Sequence, residues 1–241
     1  MFISYARADG EAAARRIHAR LQADAPDIAA WLDRFEVEGG VGWWTQIEQE
    51  LDRAEFLILI MTPSATSSEN TRSEWRSARQ RGVCVYPVKG APDVDLAFDD
   101  LPNWMRKAHF YDPDLEWEKL VAHLRRGCRA TRVPFMAPRL SPTFVPRTRE
   151  TEEVLELLLT RAKGGRGRII ALRGPGGFGK TTLATAIAHD DRVLDAFDDG
   201  ILWVTLGQNP NLLNELVKVY AAMTGTRPGF VDVDDAEREL A

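Results

Sequence analysis

The chain has 241 residues, of which 44% are apolar, 28% charged and 9% aromatic. This is globular composition, and it excludes a disordered tail, a collagen-like repeat and a disulfide miniprotein; the length fits one large domain or two modest ones. With 31 Lys and Arg against 36 Asp and Glu, a formal charge of −5 leaves no basic footprint for general nucleic-acid binding.

The longest apolar run is Phe56 to Met61, far short of the ~20 residues of a membrane-spanning helix. The opening MFISYARADG has no basic stretch followed by an apolar one, so a cytoplasmic protein is expected. Cys84 and Cys128 are accordingly read as reduced thiols. The four histidines show no metal-ligand spacing with each other or with the cysteines.

In chain order, short apolar runs predict strands at Phe2–Ala6, Ile28–Leu32, Phe56–Thr62, Val83–Val88 and about His109–Tyr111. Amphipathic stretches predict helices at Glu11–Ala23, Trp43–Arg53, Ser68–Arg81 and Leu115–Arg125. Alternation of this kind implies a parallel sheet, here a flavodoxin-like, doubly wound domain of five strands over residues 1–125. Residues 125–149 then carry seven arginines, no acid, and prolines at 134, 138, 142 and 146. Proline removes N–H donors and disfavours helix before it, so residues 126–149 read as an extended, solvated linker. A second α/β unit begins at residue 150 and runs to 241. It is expected to contain a helix at Glu150–Ala162, a strand at Ile169–Arg173, a helix at Thr181–His189, a strand at Ile201–Leu206 and a helix at Leu212–Thr224.

Gly174-Pro175-Gly176-Gly177-Phe178-Gly179-Lys180-Thr181 fits G-x-x-x-x-G-K-[ST] between an expected strand and an expected helix. The glycines, Gly174, Gly176, Gly177 and Gly179, let backbone N–H groups turn inward around a polyphosphate, and the helix offers its positive end to the same anion. Lys180 is placed to reach the β- and γ-phosphates, Thr181 to ligate Mg²⁺ and Thr182 to add a hydroxyl near the α-phosphate. ATP or ADP with Mg²⁺ is the expected ligand. A working nucleotide hydrolase also needs an acidic residue at the end of a later apolar strand. No such strand is expected between Gly207 and Ala241, so the nucleotide domain reads as truncated and ATP hydrolysis by this chain is not expected.

Val145-Pro146-Arg147 with Glu150, then IIALRGPGGFGKTT and ILWVTL, are similar to the opening of an NB-ARC domain. That resemblance implies a STAND-type regulatory NTPase, which uses nucleotide as a switch and self-associates when turned on, with a sensor region beyond residue 241.

In a doubly wound sheet of order 2-1-3-4-5, ligands sit beyond the carboxyl ends of the strands, at the switch between the first and third. Ser4, Arg7, Thr62 and Glu74 are therefore expected around the crevice. FISYARADG, WLDRFEVEGGVGWWTQI, FLILIMTPSA, Glu74-x-x-x-Ala78 and the closing LPNWMRKAHFYD with LEWEKLVAHL resemble a TIR domain of the bacterial type. Two departures stand out. Met1 falls directly on the first strand, and Asn70 occupies a position, four before the glutamate, where catalytic relatives often carry an aromatic or Cys.

The resemblance implies cleavage of the nicotinamide–ribose bond of NAD, with Glu74 as the catalytic carboxylate. It places Ser4, Arg7, Thr62 and Trp43 at the NAD site, Arg7 on phosphate and Trp43 or Trp44 on a base. Residues 36–42 would gate the crevice or meet a neighbouring copy. It also implies TIR–TIR assembly and a bacterial defence role. Two other readings stand beside this one: a TIR scaffold without chemistry, for which Glu74 has no use, and a plain P-loop ATPase.

Overall fold

The structure is a computed structural model describing residues 1–32, 43–91, 94, 96, 98, 101–160 and 168–240, with Trp43 described by its backbone alone. The chain divides into two units, Met1–Val133 and Pro134–Ala241.

In the first unit, β1 (Phe2–Ser4), α1 (Glu11–Asp24), β2 (Trp31–Leu32), α2 (Trp43–Arg53), β3 (Phe56–Met61), α3 (Pro63–Ser67), α4 (Glu69–Arg81), β4 (Cys84–Lys89), α5 (Asn103–Arg106) and α6 (Trp117–Arg125) follow one another. The sheet is parallel, in the order β2-β1-β3-β4. Ile3 registers with Leu32 on one side and Ile58 on the other, and Leu59 pairs with Pro87.

All six residues of FLILIM are buried, as a strand covered on both faces requires. Their side chains alternate between two cores. Phe56, Ile58 and Ile60 pack with Ile17 and Leu21 of α1 and Leu120 and Leu124 of α6. Leu57, Leu59 and Met61 pack with Ile47 and Leu51 of α2 and Trp75 and Ala78 of α4. Helix α4 has a full set of end signals. Ser68 accepts from the Thr71 N–H at its N-terminus, and Gly82 turns left-handed (φ 76°) at its C-terminus.

The expected fifth strand is a single bridge, Tyr111 beside Val88. Tyr111 exchanges bonds with the Pro87 carbonyl and the Lys89 N–H, both at 2.9 Å. It goes no further because the Asp112 carboxylate takes the N–H groups of Asp114 and Leu115 into a turn, and Pro113 has no donor. Upstream, the Ala108 N–H is already bonded to Met105 O.

The expectation of free thiols is overturned. Cys84 and Cys128 form a disulfide, their Cα atoms 5.6 Å apart. Parallel pairing sets Cys84 at the start of β4 opposite Phe56, and the chain leaving α6 returns there, where the Glu55 carboxylate accepts the Cys128 N–H at 2.6 Å. Residues 44 apart in sequence meet through topology that spacing does not reveal.

The second unit contains α7 (Thr148–Leu159), α8 (Lys180–Ala188), α9 (Asp191–Ala196), α10 (Leu212–Thr224) and α11 (Val233–Leu240). Leu155, Ile187 and Val193 form a small core among α7, α8 and α9. The two expected strands are a correction. Residues 169–173 carry no strand pairing, and of 201–206 only Ile201 is bridged, to Phe135. Ile169 is fully exposed, and Leu202, Val204 and Leu206 are exposed as well. Apolar runs supply burial energy, but a strand also needs a hydrogen-bonded neighbour along its length, and among the described residues only Ile201 has one. Within the expected linker, Pro134 O accepts the Ile201 N–H at 2.8 Å and Met136 N–H reaches Ile201 O at 2.9 Å. Between Gly207 and Leu240 the described residues form helices and turns, with no strand.

Candidate functional site

The carboxyl ends of β1 and β3 lie side by side, because Ser4 registers with Leu59. The chain leaving each strand forms one wall of a cleft of about 400 Å³, within the ~300–1,000 Å³ range of small-molecule sites. Tyr5, Ala6, Arg7 and Ala8 line one wall; Ser64, Ser67, Ser68, Asn70 and Glu74 line the other.

Glu74 is the sixth residue of α4, one turn beyond Asn70, and both face the cleft. Trp75 and Ala78 turn the adjacent face of the helix into the core, so the carboxylate is carried on a packed element. It is only 6% exposed. A first-turn partner for the helix dipole is supplied by Glu69, and dipole effects fade beyond that turn. Arg7 stands exposed on the opposite wall.

Two expected site residues sit behind the walls. Ser4 and Thr62 are both buried and neither lines the cleft. The Ser4 hydroxyl has no hydrogen-bond partner among the described residues. The Thr62 hydroxyl donates to Asp9 Oδ1 at 2.5 Å. The side chain of Trp43 and residues 36–42 lie outside the described residues. Trp44 packs partly buried against the α2–α4 core.

Asp9 is not among the residues expected at the crevice, yet it joins the two segments that form it. Its second oxygen accepts the Ser64 N–H at 2.9 Å. Desolvation pushes its carboxyl up, but the hydrogen bonds from Thr62 and then Ser64 outweigh this and hold it below the usual aspartate value. The one available signal was an acid two residues beyond Arg7, and nothing local says that β3 will stand beside it.

In the second unit the glycine-rich loop precedes α8 without pairing as a strand. Gly174, Gly177 and Gly179 have φ of 152°, 78° and 74°, conformations that favour glycine. Gly176 has open space around it. Lys180 Nζ donates to Gly174 O at 2.9 Å and Pro175 O at 2.7 Å. Gly179 gives α8 no side-chain cap, so the first N–H groups of the helix suit an anion. Thr181 and Thr182 are exposed beside them. A hollow of about 310 Å³ adjoins the loop, with Phe144, Val145 and Arg147 on one side and Gly179, Thr182 and Leu183 on the other. The Arg147 guanidinium packs against Gly179. Val-Pro-Arg was legible as a motif, but its position against the loop was not.

No helix among the described residues is long and apolar enough to cross a membrane, and no cluster of three or more metal-ligating side chains occurs among them.

Comparison with known proteins agrees with this division. The model of the TIR domain family matches residues 1–125, and that of the NB-ARC domain matches residues 147–228. Two relatives from Arabidopsis thaliana are similar to part of the chain. A probable disease resistance protein is 34% identical over 77 residues, covering 32% of this chain and 9% of its own length. A putative disease resistance protein is 40% identical over 65 residues, 26% of this chain and 10% of its own length. The matched segment thus spans about a tenth of each relative.

Proposed function

Because the chain belongs to the TIR domain family and carries an NB-ARC domain behind its TIR domain, we propose that it is a defence-signalling NAD glycohydrolase under the control of a nucleotide switch. The observation that carries this reading is the buried Glu74 carboxylate facing Arg7 across a cleft at the carboxyl ends of β1 and β3. A switch-point crevice of this kind is where open α/β sheets bind ligands.

The chemistry needs a single carboxylate. When the C–N bond between ribose and nicotinamide breaks, its electron pair goes to the ring nitrogen and turns a pyridinium cation into a neutral leaving group. No general acid is then required, in contrast to an ordinary glycosidase with two carboxylates. The ribose is left as an oxocarbenium ion. Glu74, held with little water around it, stabilises that positive charge and orients the ribose hydroxyls. Water captures the cation and releases a proton to solvent. Arg7, exposed on the facing wall, pairs with the pyrophosphate.

The NB-ARC domain holds ADP or ATP with Mg²⁺. The left-handed glycines and the uncapped start of α8 suit the phosphates, Lys180 the β- and γ-phosphates, Thr181 the metal ion and Thr182 the α-phosphate. Phe144, Val145 and Leu183 provide apolar walls for the base. Bound nucleotide sets whether copies of the chain associate, and association through the TIR and NB-ARC domains completes the enzyme. The disease-resistance names of the two relatives support the defence role, and the site of action is the cytoplasm.

The test is nicotinamide release from NAD by the chain, free and clustered on beads, beside Glu74→Gln. Release by the parent alone is the expected result. Equal release by both removes Glu74 from the mechanism, and silence from both when clustered favours a TIR scaffold.

A further inference from the structure

Helix α3 is short, and its N-terminus has an unusual cap. Thr62 stands at the N-cap position and Pro63 follows at the first helical position, yet no side chain of the helix's own segment caps it. The Ser64 N–H, which has no acceptor within the helix, is taken instead by Asp9 Oδ2 at 2.9 Å. Asp9 follows directly on Ala8, which lines the other wall of the cleft, and lies 55 residues before Ser64. Its Oδ1 accepts the hydroxyl of Thr62 itself at 2.5 Å. One carboxylate therefore holds the first residues of the β3–α3 segment by two bonds of the stronger, charge-assisted kind.

The first part of that wall follows directly from this entry. Ser64 and Ser67 belong to α3, and Ser68 both lines the cleft and caps α4. A five-residue helix has little stability of its own. Glu74 is secured differently, by the burial of Trp75 and Ala78 on the next face of α4.

We infer that Asp9 is a positioning residue: its carboxylate clamps the two walls of the cleft together and fixes where Ser64, Ser67 and Ser68 stand opposite Arg7. The inference rests on the NAD reading for its substrate but not for its geometry. It separates two functions within one site. The clamp governs how well the cleft holds the substrate, and the core beneath α4 governs where the reacting carboxylate lies.

The test uses the full chain, with Asp9→Asn, Thr62→Val and the double variant. Asparagine removes the charge: its oxygen can accept the Ser64 N–H only with its NH2 turned to the Thr62 hydroxyl, so neither bond is charge-assisted any longer. The KM for NAD is expected to rise about tenfold, the worth of the lost charge assistance, with a smaller change in kcat. Thr62→Val should act alike, and the double variant should be no worse than the more severe single one. A merely destabilised protein would instead lose active enzyme, lowering kcat at constant KM. Hydrogen–deuterium exchange gives the second readout. Asp9→Asn should speed exchange in residues 62–68 and leave 84–89 unchanged.

An unchanged KM, or strict additivity of the two substitutions, overturns the inference. If the parent chain neither binds nor cleaves NAD, the NAD reading fails by itself. Exchange then decides the clamp: acceleration confined to 62–68 supports it, and an unchanged pattern refutes it.

Discussion

Gly90 sits just beyond β4, where its N–H donates to Met61 O at 2.9 Å. A methyl group there would lie 2.6 Å from Thr62 Cγ2 and 3.0 Å from Met61 O. Neither neighbour yields easily. Met61 O is backbone of the central strand, and Thr62 cannot rotate without breaking its 2.5 Å bond to Asp9. Rotation would give up a charge-assisted bond worth about 1.5–3 kcal/mol, whereas moving β4 costs about 1–3 kcal/mol of overpacking. Gly90→Ala should therefore destabilise the first unit by about 2 kcal/mol, lowering its Tm by roughly 6–10 °C for a domain of this size. Urea unfolding followed by tryptophan fluorescence provides the assay. Thr62→Ser removes the colliding methyl and keeps the hydroxyl, so in that background the cost of Gly90→Ala should fall by about half. A cost below about 0.5 kcal/mol, or one that Thr62→Ser leaves unchanged, would refute the packing argument.

Two further outcomes test other parts of the molecule. Lys180→Ala should weaken Mg-ADP or Mg-ATP binding by roughly 10–100-fold in calorimetry, the loss of one charged phosphate contact, without altering the circular dichroism spectrum; an unchanged affinity would remove the phosphate role of Lys180. Glu116 accepts from Lys119 at 2.8 Å, from the Asp112 N–H at 3.2 Å and from His109 at 3.0 Å. The Lys119 bond first, then the Asp112 N–H and His109, overcome the opposing desolvation and hold its carboxyl at about 2 against an ordinary 4.5. Because the folded value is the lower one, its stabilising effect is complete above about pH 4.5 and disappears as pH falls through 2. NMR titration should find this carboxyl near 2 in the parent and higher in Lys119→Ala; a parent value near 4.5 would contradict the network.

What was legible in the sequence follows from how local each cause is. Glu69–Arg81 carries its cap at Ser68 and its stop at Gly82 in the sequence itself, so helix α4 was readable nearly to its ends. FLILIM announced a strand buried on both faces, and the crevice followed once the order 2-1-3-4-5 was assumed for the sheet. Arg7 and Glu74 both line the cleft. Ser4 and Thr62 were assigned to it from their place at the strand ends, but a strand sends alternate residues to opposite faces. Burial behind the walls is decided by that alternation and by Asp9.

Partnerships between distant segments were not legible. The Asp9 clamp, the Cys84–Cys128 disulfide and the Arg147 guanidinium against Gly179 each join segments whose meeting is set by tertiary topology. The same cause explains the opposite error in the second unit. IIALR and ILWVTL have strand composition, but composition cannot supply a neighbour to pair with.

The alternation of β3 between two cores has a consequence for cooperativity. With Phe56, Ile58 and Ile60 in one core and Leu57, Leu59 and Met61 in the other, neither layer of helices can detach without stripping one side of the same strand. The two layers must therefore be lost together, as one folding unit. Both walls of the cleft spring from β1 and β3, so they are rooted in strands that both layers share. Any widening of the cleft must therefore come from breaking the Asp9 bonds between its walls and not from movement of the strands that aim them.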